Sequence, residues 1–229
     1  MKRFYSKAET APQPGGVAIT LDGRPVKTPA RAALLLPTEE LAEAIAAEWN
    51  GQSEKIDPRS MPMTGLANAA IDRVAADPEA FARGLAAYGE SDLLCYRADT
   101  PQPLVDRQAA SWDPILDWAR GRFDVDFHTI SGVIHRKQPA DTIERLGGAI
   151  RALDPFRLAA MSPLVTISGS LVIALALAEG EIRLDTAWAA ATLDEAWQAE
   201  QWGEDPLAIA AHEERRRDYE AAYRFLTLL

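Results

Sequence analysis

Val17-Ala-Ile-Thr-Leu21, Asp22-Gly23, Arg24-Pro-Val-Lys-Thr28 is the stretch on which the fold turns. Apolar and polar residues alternate into Leu21, Asp-Gly supplies the positive-φ pair of a tight turn, and the chain can return from Arg24 as an antiparallel partner. Pro25 has no N–H to give to a ladder, which predicts that the return strand sits at an edge or pairs only beyond it. A third short strand is expected at Ala33–Leu36. Pro37-Thr-Glu-Glu40 then opens a helix in which Leu41, Ile45 and Trp49 recur every four residues, and Asn50-Gly51 closes it. Ile56-Asp-Pro-Arg-Ser-Met-Pro-Met63 has two prolines that no regular helix tolerates, so the domain linker is placed there.

The class that follows is α+β. A small strand-rich N-terminal domain with at least one helix (1–58) precedes a mostly α-helical C-terminal domain (59–229). Alanine, 42 of the 229 residues, is concentrated outside the hairpin and favours helix. Helices are expected over Leu66–Ala75, Pro78–Gly89, Leu104–Arg120, Ala140–Leu153, Pro163–Ala178, Leu184–Trp202 and Pro206–Leu226, with Asp113-Pro114 as a kink or restart. Leu93–Tyr96 and Phe127–Ile130 read as short strands or extended connections. The uncharged run Leu158–Ala178 raises the question of a membrane span. Ser162-Pro163 reads as a cap that cuts it, leaving a helix of about 24 Å, short of a hydrocarbon core of about 30 Å.

Thirty-four acidic residues against 24 lysines and arginines give a net charge of -10, which argues against nucleic acid and anionic membrane as partners. Cys95 is the only cysteine, so no intrachain disulfide can form. The N-terminus lacks the apolar stretch of an export signal, and the expected location is the bacterial cytoplasm. No phosphate loop or Gly-x-Gly-x-x-Gly fingerprint is present. His128, His135 and His212 have no metal-ligand spacing, and neither metal nor cofactor is expected. Cys95 lies in an apolar stretch with nothing to activate it. Asp113, Asp117, Asp124 and Asp126 form the one carboxylate-rich region that could supply an acid and a base, although caps and solvated faces explain most of it. Asp113 and Asp205, each before a proline, read as helix N-caps.

The helix Leu184–Trp202 carries an unusual pattern. Ile182, Ala189, Leu193, Ala196 and Trp197 share one side at about 100° per residue, a sufficient core face. Residues seven apart nearly superpose, so Trp188, Glu195 and Trp202 stack in a second stripe, a carboxylate between two indoles. Either that stripe is a second packed face with Glu195 paired to an arginine, or it is an exposed recognition surface. Asp194, about a quarter turn away, serves as the expected neutral comparison.

These residues, with several blocks elsewhere, resemble a family of ATP synthase assembly chaperones that attend the alpha subunit of the F1 sector before it joins beta. The matching text is Leu21-Asp-Gly-Arg-Pro-Val-Lys-Thr-Pro29, Glu48-Trp49 with Gln52, Ile56-Asp-Pro58, Met61-Pro-Met-Thr64 and Ala70-Ile-Asp72. It continues through Asp92-Leu-Leu-Cys-Tyr-Arg97, Gln108 before Trp112-Asp-Pro-Ile-Leu116, and Glu195-x-x-Gln198-x-x-x-Trp202-Gly203. The resemblance implies a mixed N-terminal and a helical C-terminal domain, no catalytic activity, and partner binding at Glu195, Gln198, Trp202 and Gly203, with Trp188 added from the stripe. It implies a chaperone that acts without ATP hydrolysis, and the chain is expected to act as a monomer. A carboxylate-dependent hydrolase using Asp113–Asp126, or a permanent subunit of an acidic complex, are the competing readings.

Overall fold

The computed structural model describes residues 1–132, 136–203 and 205–229; His135 lies outside them. The chain forms two compact units. The first comprises Met1–Pro78 with Leu153–Ala160 and Ala221–Leu229, and the second Glu79–Ala152 with Met161–Glu220.

In the first unit β1 (Ala8–Gln13) pairs antiparallel with β2 (Gly16–Leu21), and β2 pairs in turn with β3 (Arg24–Pro25) and β4 (Leu35–Leu36). Asp22 and Gly23 take φ of 48° and 79°, the turn that the sequence announces. Asp22 also ties the hairpin to the N-terminal segment, because its carboxylate accepts the N–H groups of Ser6 and Lys7. Strand β1 has no such local signal. Its Ala, Glu, Pro and Gln residues have little intrinsic β preference, and they are held extended by the ladder to β2.

Helix α1 (Glu39–Asn50) starts where the sequence places it, with Thr38 Oγ1 accepting the Leu41 N–H at 3.3 Å. It lays Leu41 and Ile45 against Ile19, Leu34 and Leu36 of the strand region, with Met63, Ala67, Ala160 and Phe225 completing the core. The expected 58/59 boundary falls inside this unit. The proline-rich segment is bound to α1: Gln52 Oε1 accepts the Asp57 N–H at 2.8 Å and Gln52 Nε2 donates to Ser60 Oγ at 2.9 Å. Glu48 caps α2 (Pro62–Ala69) by accepting the N–H groups of Met63 and Thr64, each at 2.8 Å. A π-helical turn, Ala70–Val74, extends α2 and places Asp72 to accept Thr28 Oγ1–H at 2.6 Å and the Ala30 N–H at 2.9 Å. The sequence blocks around Glu48, Gln52 and Asp72 are therefore the bolts of this unit.

Among its described residues the second unit is mainly helical, with one parallel pair, β5 (Tyr96–Arg97) with β6 (Ile130–Ser131). Its first helix, α3 (Pro78–Ala86), begins at the end of the first unit; α4 (Gln102–Phe123) and α5 (Ala140–Arg151) follow. Pro114 sits inside α4, which runs through it without a restart, and Asp113 pairs with Arg97 at 2.8 Å instead of capping a helix. The expected helix Pro163–Ala178 is two elements. Helix α6 (Pro155–Ser168) contains Pro163 in its interior, and the chain breaks at Gly169 (φ 65°) before α7 (Leu171–Ala178). Ser170, not Ser162, is the cap, accepting the Ile173 N–H at 2.9 Å. Every residue of α7 from Leu171 to Leu177 is buried. No helix among the described residues is long and apolar enough to cross a membrane.

Candidate functional site

The site is built on α8 (Leu184–Ala191), α9 (Leu193–Trp202) and the first turns of α10 (Pro206–Thr227). The single helix expected over Leu184–Trp202 is interrupted at Thr192, whose φ and ψ of −110° and 14° leave the helical region. The Trp188 carbonyl accepts both the Thr192 backbone N–H at 3.0 Å and the Thr192 hydroxyl at 2.9 Å, which closes the end of α8. That break separates the two halves of the stripe. Trp188 is buried, packed edge-on against His212 at 5.0 Å and tilted on Tyr219 at 5.6 Å. Ala189, expected in the core, is exposed.

The other four candidates meet in one groove. Glu195, Gln198, Trp202 and Gly203 line it with Ile209 and His212, enclosing about 570 Å³. Trp202 is 78% exposed, and Leu207 and Ile209 lie exposed nearby on α10. Gly203 makes the turn possible: at φ 81° and ψ 171° it occupies backbone space essentially reserved for glycine, and its N–H closes α9 on the Ala199 carbonyl at 2.9 Å. Asp205 then starts α10 as expected, accepting the Leu207 N–H at 3.1 Å.

Glu195 is not isolated. Its carboxylate takes a two-pronged grip from Arg215, Nη1 at 3.0 Å to Oε1 and Nη2 to Oε2, and His212 Nδ1 lies 3.6 Å from Oε2. The Arg215 hydrogen bond is the main reason that its acidity is increased, and Arg215 is reciprocally made a weaker acid by it. The pair remains half exposed, so both alternatives held for Glu195 are partly met: it is paired, and it faces solvent. Asp194 is not a neutral comparison, because its Oδ1 accepts from Gln108 Nε2 at 2.7 Å. Gln108 and Trp112, whose indole donates to the Ala190 carbonyl at 2.9 Å, bind α4 to α8 and α9. Arg107 adds an ion pair to Glu200 at 2.7 Å and lies over Trp197.

The carboxylate-rich region disperses. Asp113 faces Arg97, Asp117 faces Arg120 and Asp124 faces Arg145, while the Asp126 backbone exchanges hydrogen bonds with Thr142. Cys95 is buried, with its thiol pushed up to about 12 by desolvation. Among the described residues no three His, Cys, Asp or Glu side chains gather as a metal would require.

The model of the family described as "ATP12 chaperone protein" matches residues 2–120. "Protein atp12, mitochondrial" of Schizosaccharomyces pombe is 28% identical over 214 residues, covering 88% of this chain and 74% of that protein. Among solved structures, Atp12 of Paracoccus denitrificans matches with 43% identity and a TM-score of 0.94, covering 99% of this chain and 97% of that one. A putative chaperone from Agrobacterium tumefaciens, Atu1473, matches with 42% identity and a TM-score of 0.95, over 99% of this chain and 85% of that one. The class is thus a chaperone built on an α+β frame. The chain belongs to the ATP12 chaperone family, the ATP synthase assembly chaperones that its sequence blocks resemble.

Proposed function

We propose that the chain holds the free alpha subunit of the F1 sector, shields the surface that beta will cover, and releases it during assembly without hydrolysing ATP. The observation that carries this reading is Trp202, a large indole standing 78% exposed on the rim of the α9–α10 groove. An exposed tryptophan beside further apolar side chains is unfavourable unless something covers it, and indoles in partly formed pockets are common anchors of protein interfaces. In this reading Trp202 is the anchor, Glu195 with Arg215 presents polar groups beside it, Gln198 faces the groove, and Gly203 sets the angle of the rim. Trp188 supports the groove from below through His212. An isolated alpha subunit exposes an apolar surface made for beta, and a smaller covering surface is displaced when the larger permanent one forms. No step of this exchange calls for nucleotide chemistry, and a carboxylate-dependent hydrolase is the poorer reading because the candidate aspartates are dispersed.

The test is calorimetric titration of purified alpha subunit into wild type, Trp202→Ala and Glu195→Ala, with thermal melts alongside. Trp202→Ala is expected to weaken binding by at least about 2 kcal/mol, roughly 30-fold, with an unchanged melt. Glu195→Ala removes an exposed ion pair worth at most about 1 kcal/mol to folding, and is expected to weaken binding about tenfold. Normal binding by both variants refutes the assignment of the groove, and failure of wild type to bind alpha refutes the partner.

A further inference from the structure

The large apolar side chains exposed among the described residues are Met1, Phe4, Trp202, Leu207 and Ile209. Trp202 and Ile209 belong to the groove above, and Leu207 lies on the same helix as Ile209. Met1 and Phe4 instead line a separate cavity of about 630 Å³ in the first unit, walled by Tyr5, Leu21, Pro25, Val26 and Trp49, with Arg24 and Lys27 at its edge. The aromatic rings form a ladder, Phe4 edge-on to Tyr5 at 5.5 Å and Tyr5 edge-on to Trp49 at 5.7 Å. Phe4 is 65% exposed, and the buried indole N–H of Trp49 finds no acceptor among the described residues.

The charge around this cavity runs against that of the protein. Residues 1–31 carry Lys2, Arg3, Lys7, Arg24, Lys27 and Arg31 against only Glu9 and Asp22, in a chain whose net charge is -10. In the second unit arginine after arginine is neutralised by a carboxylate, as at Arg107, Arg120, Arg122, Arg145, Arg151, Arg215 and Arg216. At the cavity that pattern stops. Arg24 and Lys27 form no salt bridge among the described residues. Arg3 spends its guanidinium on the backbone carbonyls of Tyr5, Ser6 and Gln52, which satisfy its donors without cancelling its charge. The one carboxylate in the lining, Asp22, is held below the usual carboxylate range by the N–H groups of Ser6 and Lys7 and then by Arg3 and Arg24, and its single negative charge is outnumbered by Arg24 and Lys27.

We infer that this cavity is a second docking site, taking an extended acidic peptide segment of a partner protein with one apolar or aromatic side chain inserted beside Phe4 and Trp49. The concavity suits a single side-chain anchor, and the excess of cations over the one carboxylate suits flanking carboxylates on the segment. An anionic lipid surface would meet the same cations, but it would also meet the remaining acidic chain, and it has no side chain to fill a pocket. The site is distinct from the α9–α10 groove and does not depend on the reading given to that groove.

The experiment is titration calorimetry with an acetylated, amidated peptide alternating glutamate with phenylalanine and leucine, set against its counterpart with lysine for glutamate. The acidic peptide is expected to bind, more weakly as salt rises, and the lysine peptide is not. Arg24→Glu combined with Lys27→Glu is expected to weaken binding at least about tenfold, and Phe4→Ala to weaken it by a similar factor, with melts unchanged because all three side chains lie at the surface. Trp202→Ala is expected to bind the peptide as wild type does. Equal binding of the two peptides, or wild-type binding by the charge-reversed variant, overturns the inference. So does binding to phosphatidylglycerol vesicles without binding to the peptide. A dimer in sedimentation that the charge reversal abolishes would give the cavity to a second copy of the chain, and would equally overturn it.

Discussion

Replacing Asp92 by asparagine should make the stability of the protein depend on pH in a way that identifies which force dominates at the centre of the second unit. Asp92 is fully buried, and it forms no salt bridge among the described residues. Its Oδ1 accepts from Ser170 Oγ at 2.7 Å and the Leu94 N–H at 3.1 Å, and its Oδ2 accepts the Val172 N–H at 3.0 Å, so one side chain caps both α7 and the 3-10 turn Leu93–Cys95. Burial raises its pKa from 3.8 to about 6, while those donors pull the other way. A carboxyl that holds its proton more tightly folded than unfolded stabilises the fold most at low pH, and that contribution is lost as pH rises from about 4 to about 6. The full effect is about 3 kcal/mol, of which about 1 kcal/mol falls between pH 5 and pH 7, above the isoelectric point near 4.8. The substituted asparagine cannot ionise, and at every pH it leaves one N–H facing an amide NH₂, a constant cost of about 1 to 3 kcal/mol. Urea unfolding of wild type and Asp92→Asn at pH 5, 6 and 7 should therefore show the wild-type advantage shrinking by about 1 kcal/mol across the series. An advantage that grows with pH would mean that the helix N-terminal donors outweigh burial, and the reasoning would be wrong.

Three further outcomes are expected. Cys95, buried and with its thiol raised to about 12, should not react with Ellman's reagent until the chain unfolds, and prompt stoichiometric labelling of the native protein would contradict the packing described. Trp49→Ala should cost about 3 kcal/mol by thermal or urea melts, since the indole joins the two apolar clusters of the first unit and packs edge-on to the Tyr5 ring at 5.7 Å; an unchanged melt would refute that role. Gly203→Ala should cost about 1 to 3 kcal/mol by the same melts, entirely through backbone strain, because no atom within 4 Å obstructs a Cβ there; an unchanged melt would show that the turn relaxes freely.

The elements legible in the sequence are those determined by local chemistry. Asp22-Gly23 states its turn, Thr38 and Gly51 state the ends of α1, and Asp205 states the start of α10, each through hydrogen bonds or dihedral angles confined to a few neighbouring residues. The elements that stay hidden are those whose conformation is imposed from a distance. Strand β1 exists because β2 offers it a ladder, and the linker-like prolines from Pro58 to Pro62 are ordered because Glu48 and Gln52 reach across to them. Pro163 shows the same in reverse: a residue that locally signals a helix start is carried inside α6, while the break falls at Gly169 where the backbone turns left-handed.

Trp188 is the most instructive case, since its placement depends on phase. A 100° rotation per residue is reliable only while the helix is continuous, and Thr192 interrupts it between Trp188 and Glu195. The three residues expected in one row are thus divided, Trp188 against His212 and Tyr219 beneath the surface and Glu195 and Trp202 on it. No residue in Ala189-Ala-Ala-Thr-Leu193 is a breaker by propensity; the interruption is a tertiary decision, in which a buried indole is accommodated and the Thr192 hydroxyl adds a second hydrogen bond to the Trp188 carbonyl. The Trp202-Gly203 corner is legible because its signal is local: only glycine takes that φ and ψ cheaply, and the tryptophan before it is carried out on the rim. The candidate surface is therefore readable at its turn and unreadable at its foundation.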